Sequence, residues 1–229
     1  MEKPEPVKVV LLGESGVGKT SIISQFTTNS FNPRVAISVS AQFISKTIEF
    51  PDFKKILKFD IWDTVGQEKY RSLAKIFYKD AKIIVFVYDI TTDFSFKELK
   101  NFWYREAINY ADNDPIFALV ANKIDLYQEQ QVTNIDGMAF ADEINAIFQT
   151  TSALSNTGIT KLFNNLGKKY IMPDYNYKAD DITAKENYLK KKKEENEGCT
   201  SQKKGEKGVK LDNSNNKNNK DGKPKSSCC

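Results

Sequence analysis

Three short stretches of this sequence carry side chains that can act together on a phosphorylated ligand. Gly13-Glu14-Ser15-Gly16-Val17-Gly18-Lys19-Thr20 fits G-x-x-x-x-G-K-[ST]. Such a loop turns its amide N–H groups inward as an anion nest at a helix N-terminus, and glycine lets the backbone approach phosphate oxygens. Ser15, Gly16, Val17, Gly18 and Ser21 are then the nucleotide-binding positions around Lys19, which bridges the terminal phosphates. Thr20 offers its hydroxyl to a magnesium ion, a metal that prefers oxygen ligands. Downstream, Asp63-Thr64-Val65-Gly66-Gln67 supplies a carboxylate for magnesium at Asp63, an N–H for a third phosphate at Gly66, and at Gln67 an amide that can orient an attacking water. In Asn122-Lys123-Ile124-Asp125, the aspartate can accept hydrogen bonds from N1–H and the 2-amino group of guanine. Adenine offers neither, so a buried Asp125 opposite adenine would be left unpaired and GTP is selected over ATP. Asn122 ties the base site to the phosphate loop, and the stem of Lys123 covers one face of the base. By themselves the second and third strings are an ordinary turn and an ordinary helix cap. Their order behind a phosphate loop makes them one site.

Positioning these strings requires strands that end where they begin. Val7 to Leu12 is a β-branched run ending at the glycine loop, and Ser21 to Phe26 continues as a helix. Ala41 to Phe50 and Lys55 to Trp62 are extended runs joined through Pro51-Asp52, which suggests a hairpin. Lys82 to Asp89 and Ile116 to Ala121 are apolar on successive residues, as strands buried on both faces should be. Phe94 to Tyr110 has helix length, with Phe96, Leu99, Phe102 and Trp103 at helical spacing. Phe148 to Ser152 reads as a last strand, and Thr157 to Tyr170 as a last helix with Ile159, Leu162, Phe163 and Leu166 on one face. The order predicts an α/β fold: an open, mostly parallel sheet with helices on both sides.

Composition narrows the chemistry. The chain has 229 residues, enough for one ordinary domain and an appendage, and no histidine, which excludes Ser-His-Asp and Cys-His catalysis and every His-ligated metal site. Lys+Arg number 34 against 30 Asp+Glu, for a net charge of +4. Residues 174–229 hold 14 basic and 10 acidic side chains, so residues 1–173 are neutral with 20 of each, a poor basis for nucleic-acid binding. Cys199, Cys228 and Cys229 all lie in the tail, so no disulfide framework organises the fold, as fits a reducing compartment. Met1 to Val10 lacks the apolar run of a signal peptide, and the apolar stretch Ile83 to Tyr88 is too short to span a bilayer. The expectation is a cytosolic chain unless something attaches it to a membrane. After Pro173 the sequence is rich in Lys, Asn, Glu, Ser and Gly, which predicts a disordered tail over 174–229 behind a domain at 1–173.

Over residues 7 to 172 the chain resembles the Ras superfamily of small GTPases, and within it the Rab family. The marks are Ile61-Trp62-Asp63-Thr64, Gly66-Gln67-Glu68-Lys69-Tyr70-Arg71-Ser72-Leu73, Val87-Tyr88-Asp89-Ile90-Thr91, Asn122-Lys123-Ile124-Asp125, Thr151-Ser152-Ala153 and the terminal Cys228-Cys229. Tyr70 to Ala74, with Ala41-Gln42-Phe43, is most similar to the endocytic Rabs. The resemblance implies a P-loop small G domain: a six-stranded, mostly parallel sheet with one antiparallel edge strand and helices on both faces. It implies GTP and GDP with Mg²⁺, slow hydrolysis through Gln67, and a last guanine-contacting loop at Ser152, Ala153 and Leu154, where leucine replaces the usual lysine. Phe31 falls where the family sets an aromatic edge against guanine, and reads equally as a half-buried core residue. Phe43, Trp62 and Phe77 match the aromatic triad that meets effectors, or are interior packing.

The resemblance further implies two geranylgeranyl groups, on Cys228 and Cys229, since two lipids anchor stably where one does not. The lysines from Lys190 to Lys193 either add attraction to anionic lipid or are a solvated stretch; Cys199 reads as an unmodified thiol. Implied partners are an exchange factor, a GTPase-activating protein, an escort protein or GDP-dissociation inhibitor, and effectors, with a monomer cycling between the cytosol and the cytosolic face of endosome, Golgi or vesicle. The chain departs from the family at Ser38-Val39-Ser40, where the first switch has Thr-Ile-Gly. Ser38 keeps a hydroxyl for magnesium and an N–H for the third phosphate but lacks a packing methyl. Val65 replaces alanine beside Gly66. Both departures keep open an alternative, a nucleotide-gated membrane module with little hydrolysis. A P-loop kinase or ATPase is disfavoured by Asn122 to Asp125.

Overall fold

β-Branched and aromatic residues dominate six strands that form one sheet in the order β2-β3-β1-β4-β5-β6. A computed structural model describes residues 3–33, 41–64, 75–112 and 114–179. The strands are β1 (Glu5–Leu12), β2 (Gln42–Phe50), β3 (Lys55–Asp63), β4 (Ile83–Asp89), β5 (Ile116–Asn122) and β6 (Ile147–Thr150). Among the described strands only the β2–β3 pair is antiparallel, and β2 lies at the edge. The hairpin between them turns through a single 3₁₀ turn at Pro51–Phe53. Proline serves there because its missing N–H is not needed at the start of a helical turn.

Period-two alternation in β1 sends Val7, Val9 and Leu11 to one face and Val10 and Leu12 to the other. On the first face pack the helices α1 (Lys19–Thr28) and α6 (Ile159–Ile171), through Ile22, Ile23 and Phe26 and through Ile159, Leu162, Phe163 and Leu166. Phe26 stacks on Phe163 with ring centroids 3.6 Å apart, each ring contributing about 1.5–3 kcal/mol by burial. On the second face lie α3 (Asp93–Glu98), α4 (Tyr104–Tyr110) and α5 (Asn134–Glu143), with Phe96, Leu99, Trp103, Ala107, Phe140 and Ala141 turned inward. A short helix, α2 (Lys75–Tyr78), precedes β4.

Four features depart from the sequence expectations. The helix expected over Phe94 to Tyr110 is interrupted by a π segment at Leu99–Trp103 between α3 and α4, which residue spacing alone does not announce. Helix α5 is absent from the expected elements. Its mark is Thr133-x-x-Asp136, and the structure forms a capping box there, the Asp136 N–H donating to Thr133 Oγ1 and the Thr133 N–H to Asp136 Oδ2. The last strand ends at Thr150, and Ser152 instead bridges Thr157, because the chain leaves the sheet to wrap over the end of β5. Finally, the compact unit extends past the expected boundary at 173, to Ala179. Tyr175 is buried and donates its hydroxyl to Asn165 Oδ1 at 3.1 Å, and the Phe148 N–H donates to the hydroxyl of Tyr177. The interrupted apolar pattern hides these contacts because each aromatic packs singly. Residues 180–229, with Lys190 to Lys193, Cys199, Cys228 and Cys229, lie outside the described residues.

Candidate functional site

At the carboxyl ends of β1, β3, β4 and β5 the chain places Gly13, Asp63, Asp89 and Asn122 around one crevice, where the strand order reverses about β1. The glycine loop from Gly13 to Gly18 joins β1 to α1. Gly13 has φ 144°, and a Cβ there would lie 2.1 Å from the Val87 carbonyl oxygen; Gly18 has φ 99°, and a Cβ would lie 2.4 Å from Asn122 Nδ2. Only glycine fits both places. Val17 turns its side chain into the core, so it can serve a ligand through its backbone alone.

Lys19 is buried, and its ammonium donates to the carbonyls of Gly13 at 2.8 Å and Glu14 at 2.9 Å. Burial lowers its pKa from 10.5 to about 8, against the opposing charges of Asp63 and Glu14. Thr20 Oγ1 donates to Asp63 Oδ2 at 2.6 Å, while Asp63 Oδ1 is buried with no hydrogen-bond partner. Burial pushes the Asp63 carboxyl above its usual range, opposed by the Thr20 hydrogen bond and by Lys19. A buried carboxylate oxygen without a donor is costly, and a hard cation with oxygen ligands satisfies it. The donor set of Thr20 and Asp63 therefore fits Mg²⁺.

The Asn122 to Asp125 segment is tied to the glycine loop. Asn122 Nδ2 donates to the Val17 carbonyl at 2.8 Å, and Thr151 Oγ1 donates to Asn122 Oδ1 at 2.9 Å. Ser152 Oγ donates to Asp125 Oδ1 at 2.5 Å and accepts the Ser155 N–H at 3.1 Å, which holds the carboxylate in one orientation. A cavity of about 390 Å³ is lined by Gly16, Gly18, Ser21, Phe31, Asn32, Pro33, Asn122, Lys123, Asp125, Leu126, Ala153 and Leu154. Phe31, left open between core and base by its sequence context, both packs on the core and lines this cavity. Ser15 lies at the loop's exposed tip. A larger groove of about 520 Å³ lies where β5 and β6 begin, lined by Ile108, Pro115 and Ile147 among others. Neither the glycine loop nor the Asn122 to Asp125 segment lines it, although Asp114, Asn145 and Lys169 do, so the smaller cavity is the candidate site.

Some supporting residues escape motif reading. Asp89, at the end of β4, pairs with the Lys123 ammonium at 2.6 Å and accepts the Thr91 N–H and hydroxyl. Gln25 of α1 donates to the Ala153 carbonyl at 2.7 Å across 128 residues. A carboxylate ending a strand next to the base loop is a readable signal for Asp89; Gln25 leaves none. Ser38, Val65, Gly66 and Gln67 lie outside the described residues.

On the β2–β3 side, Phe43 sits 5.2 Å from Trp62 and Trp62 5.7 Å from Phe77, centroid to centroid. Phe43 is 51% exposed, whereas Trp62 and Phe77 also pack on the core. The triad is one contiguous aromatic surface with an interior footing, so the two readings of these residues are compatible.

Residues 8–172 match the Ras family model. Among relatives, the Ras-related protein Rab-22A of Homo sapiens is 38% identical over 170 residues, covering 74% of this chain and 86% of that protein. RabC of Dictyostelium discoideum is 36% identical over 164 residues, 72% of this chain and 83% of that one. Rab-21 of Homo sapiens is 38% identical over 164 residues, 72% of each chain.

Proposed function

Since the chain belongs to the Ras family, and within it is a Rab small GTPase that hydrolyses GTP and acts as a switch in membrane trafficking, we propose that the crevice described above is its nucleotide site and assign its residues. The supporting observation is that Asp125 and the glycines of the phosphate loop line one cavity. Asp125, oriented by Ser152, accepts the two guanine donors; the Lys123 stem, its ammonium held by Asp89, lies along the base; Phe31 closes the other side; and Ala153 and Leu154 bound the edge.

The amides of Ser15 to Thr20 and the Lys19 ammonium neutralise phosphate charge as it shifts toward the leaving group. Thr20 and Asp63, with Ser38, would hold Mg²⁺, and the ion would supply positive charge to offset that of the phosphates. Gly66 donates to the third phosphate and Gln67 orients the attacking water. Loss of that phosphate releases the segments holding Ser38 and Gly66, the physical basis of the switch.

Regulators and effectors act on such a switch. For this chain they would be an exchange factor, a GTPase-activating protein, an escort protein or GDP-dissociation inhibitor, and effectors that meet Phe43, Trp62 and Phe77. No described helix is long and apolar enough to cross a membrane. Two prenyl groups at Cys228 and Cys229 would place the chain on the cytosolic face of endomembranes.

Mass spectrometry of the native protein, together with Asp125→Asn, tests the assignment. Guanine nucleotide should co-purify, and the variant should shift its preference toward xanthine nucleotide. Co-purified adenine nucleotide, or an unchanged base preference, refutes it.

A further inference from the structure

The π segment at Leu99–Trp103 brings a buried tryptophan to the phosphate loop. A π turn holds about one residue more than an α turn, so it rotates the downstream residues by about 100° relative to an unbroken helix. Trp103, its last residue, is fully buried in the core on the second face of the sheet. Its indole N–H can only donate, and a buried indole needs an acceptor. It reaches Oε1 of Glu14 at 2.8 Å, 89 residues away in the chain.

Glu14 is the first variable residue of the glycine loop, and its buried carboxylate sits within a loop that binds anions. It does not line the nucleotide cavity. The same residue's backbone carbonyl accepts the Lys19 ammonium at 2.9 Å. The side chain of Glu14 is thus held from the helix, while its peptide group seats the lysine that meets the phosphates.

We infer that Trp103 is a positioning residue for nucleotide retention: its indole clasps Glu14, turns that carboxylate away from the phosphates and holds the carbonyl seat of Lys19. This rests on the nucleotide site proposed above. An ionised acceptor roughly doubles the strength of such a bond. The clasp spans the phosphate loop and the helix on the second face, so loosening the helix at its π segment also loosens the loop.

The test is the release rate of a fluorescent GDP analogue from the full chain, with thermal unfolding measured alongside. Trp103→Phe keeps an aromatic ring and removes the donor, and should speed release about tenfold, the scale of one hydrogen bond to a charged group. Glu14→Ala and Glu14→Gln both remove the charge, but the glutamine keeps an oxygen acceptor; release from Glu14→Ala should be several-fold faster than from Glu14→Gln. The double variant Trp103→Phe, Glu14→Ala should be no faster than the worse single one, because both remove the same bond.

Equal release from Glu14→Ala and Glu14→Gln overturns the inference, as does additivity in the double variant. Should Trp103→Phe fail to fold, the comparison at Glu14 decides alone. If the unaltered chain does not retain guanine nucleotide, the site assignment has failed. If it does and these variants release at its rate, only the clasp has failed.

Discussion

Lys19 should make nucleotide affinity fall at alkaline pH while the stability of the nucleotide-free fold rises, the reverse of ordinary alkaline unfolding. Burial holds its ammonium near pKa 8 in the nucleotide-free fold, below the ordinary 10.5 of a lysine. Phosphates bring negative charge and favour the protonated form, so binding draws a proton onto Lys19 wherever the free protein has lost it. Affinity for GDP is then level below about pH 7 and falls as pH rises through 8, by about tenfold between pH 7 and pH 9. The stability of the nucleotide-free fold moves the other way. Its lowered pKa means that the unfolded chain binds more protons between about pH 8 and 10.5, so stability rises with pH there, by about 1 kcal/mol from pH 7 to pH 9.

The assay is competition of GDP against a fluorescent analogue at half-unit intervals up to pH 9, with the free nucleotide's own N1–H titration measured and subtracted, paired with denaturant unfolding of the nucleotide-free chain. A flat affinity profile would show that Lys19 is not the titrating group. Affinity and stability falling together would point to general loss of the fold and would refute the reasoning as well.

Gly18→Ala places a methyl 2.4 Å from Asn122 Nδ2 at a φ of 99°, so it should cost both the Asn122 link to Val17 and most nucleotide binding, read by loss of co-purified guanine nucleotide. Asp63→Ala should weaken the dependence of GDP release on added Mg²⁺ by tenfold or more, on the order of one lost charged ligand; an unchanged magnesium titration would remove Asp63 from the metal site. Ending the chain at 173 instead of 179 removes the buried Tyr175 and its bond to Asn165, and should lower stability by about 2 kcal/mol in denaturant unfolding.

Local strings carry the chemistry proposed for this protein. Gly13 to Thr20, Asp63 and Asn122 to Asp125 could be read as phosphate, metal and base groups because each depends on a few neighbouring residues with a fixed backbone form. The parallel strands were legible for a similar reason: burial on both faces leaves continuous apolar runs such as Ile83 to Tyr88. Contacts between distant segments were not legible. The Gln25 bond to the Ala153 carbonyl and the Trp103 bond to Glu14 each join groups whose separation in sequence carries no pattern. The π segment and the packing of Tyr175 belong with them, since apolar spacing is the same whether a helix is regular or widened by one residue. Sequence determined which groups the proposed site offers to a nucleotide, because those groups are set by local turns; only the folded sheet decided what holds them still, because that depends on which strand ends lie side by side.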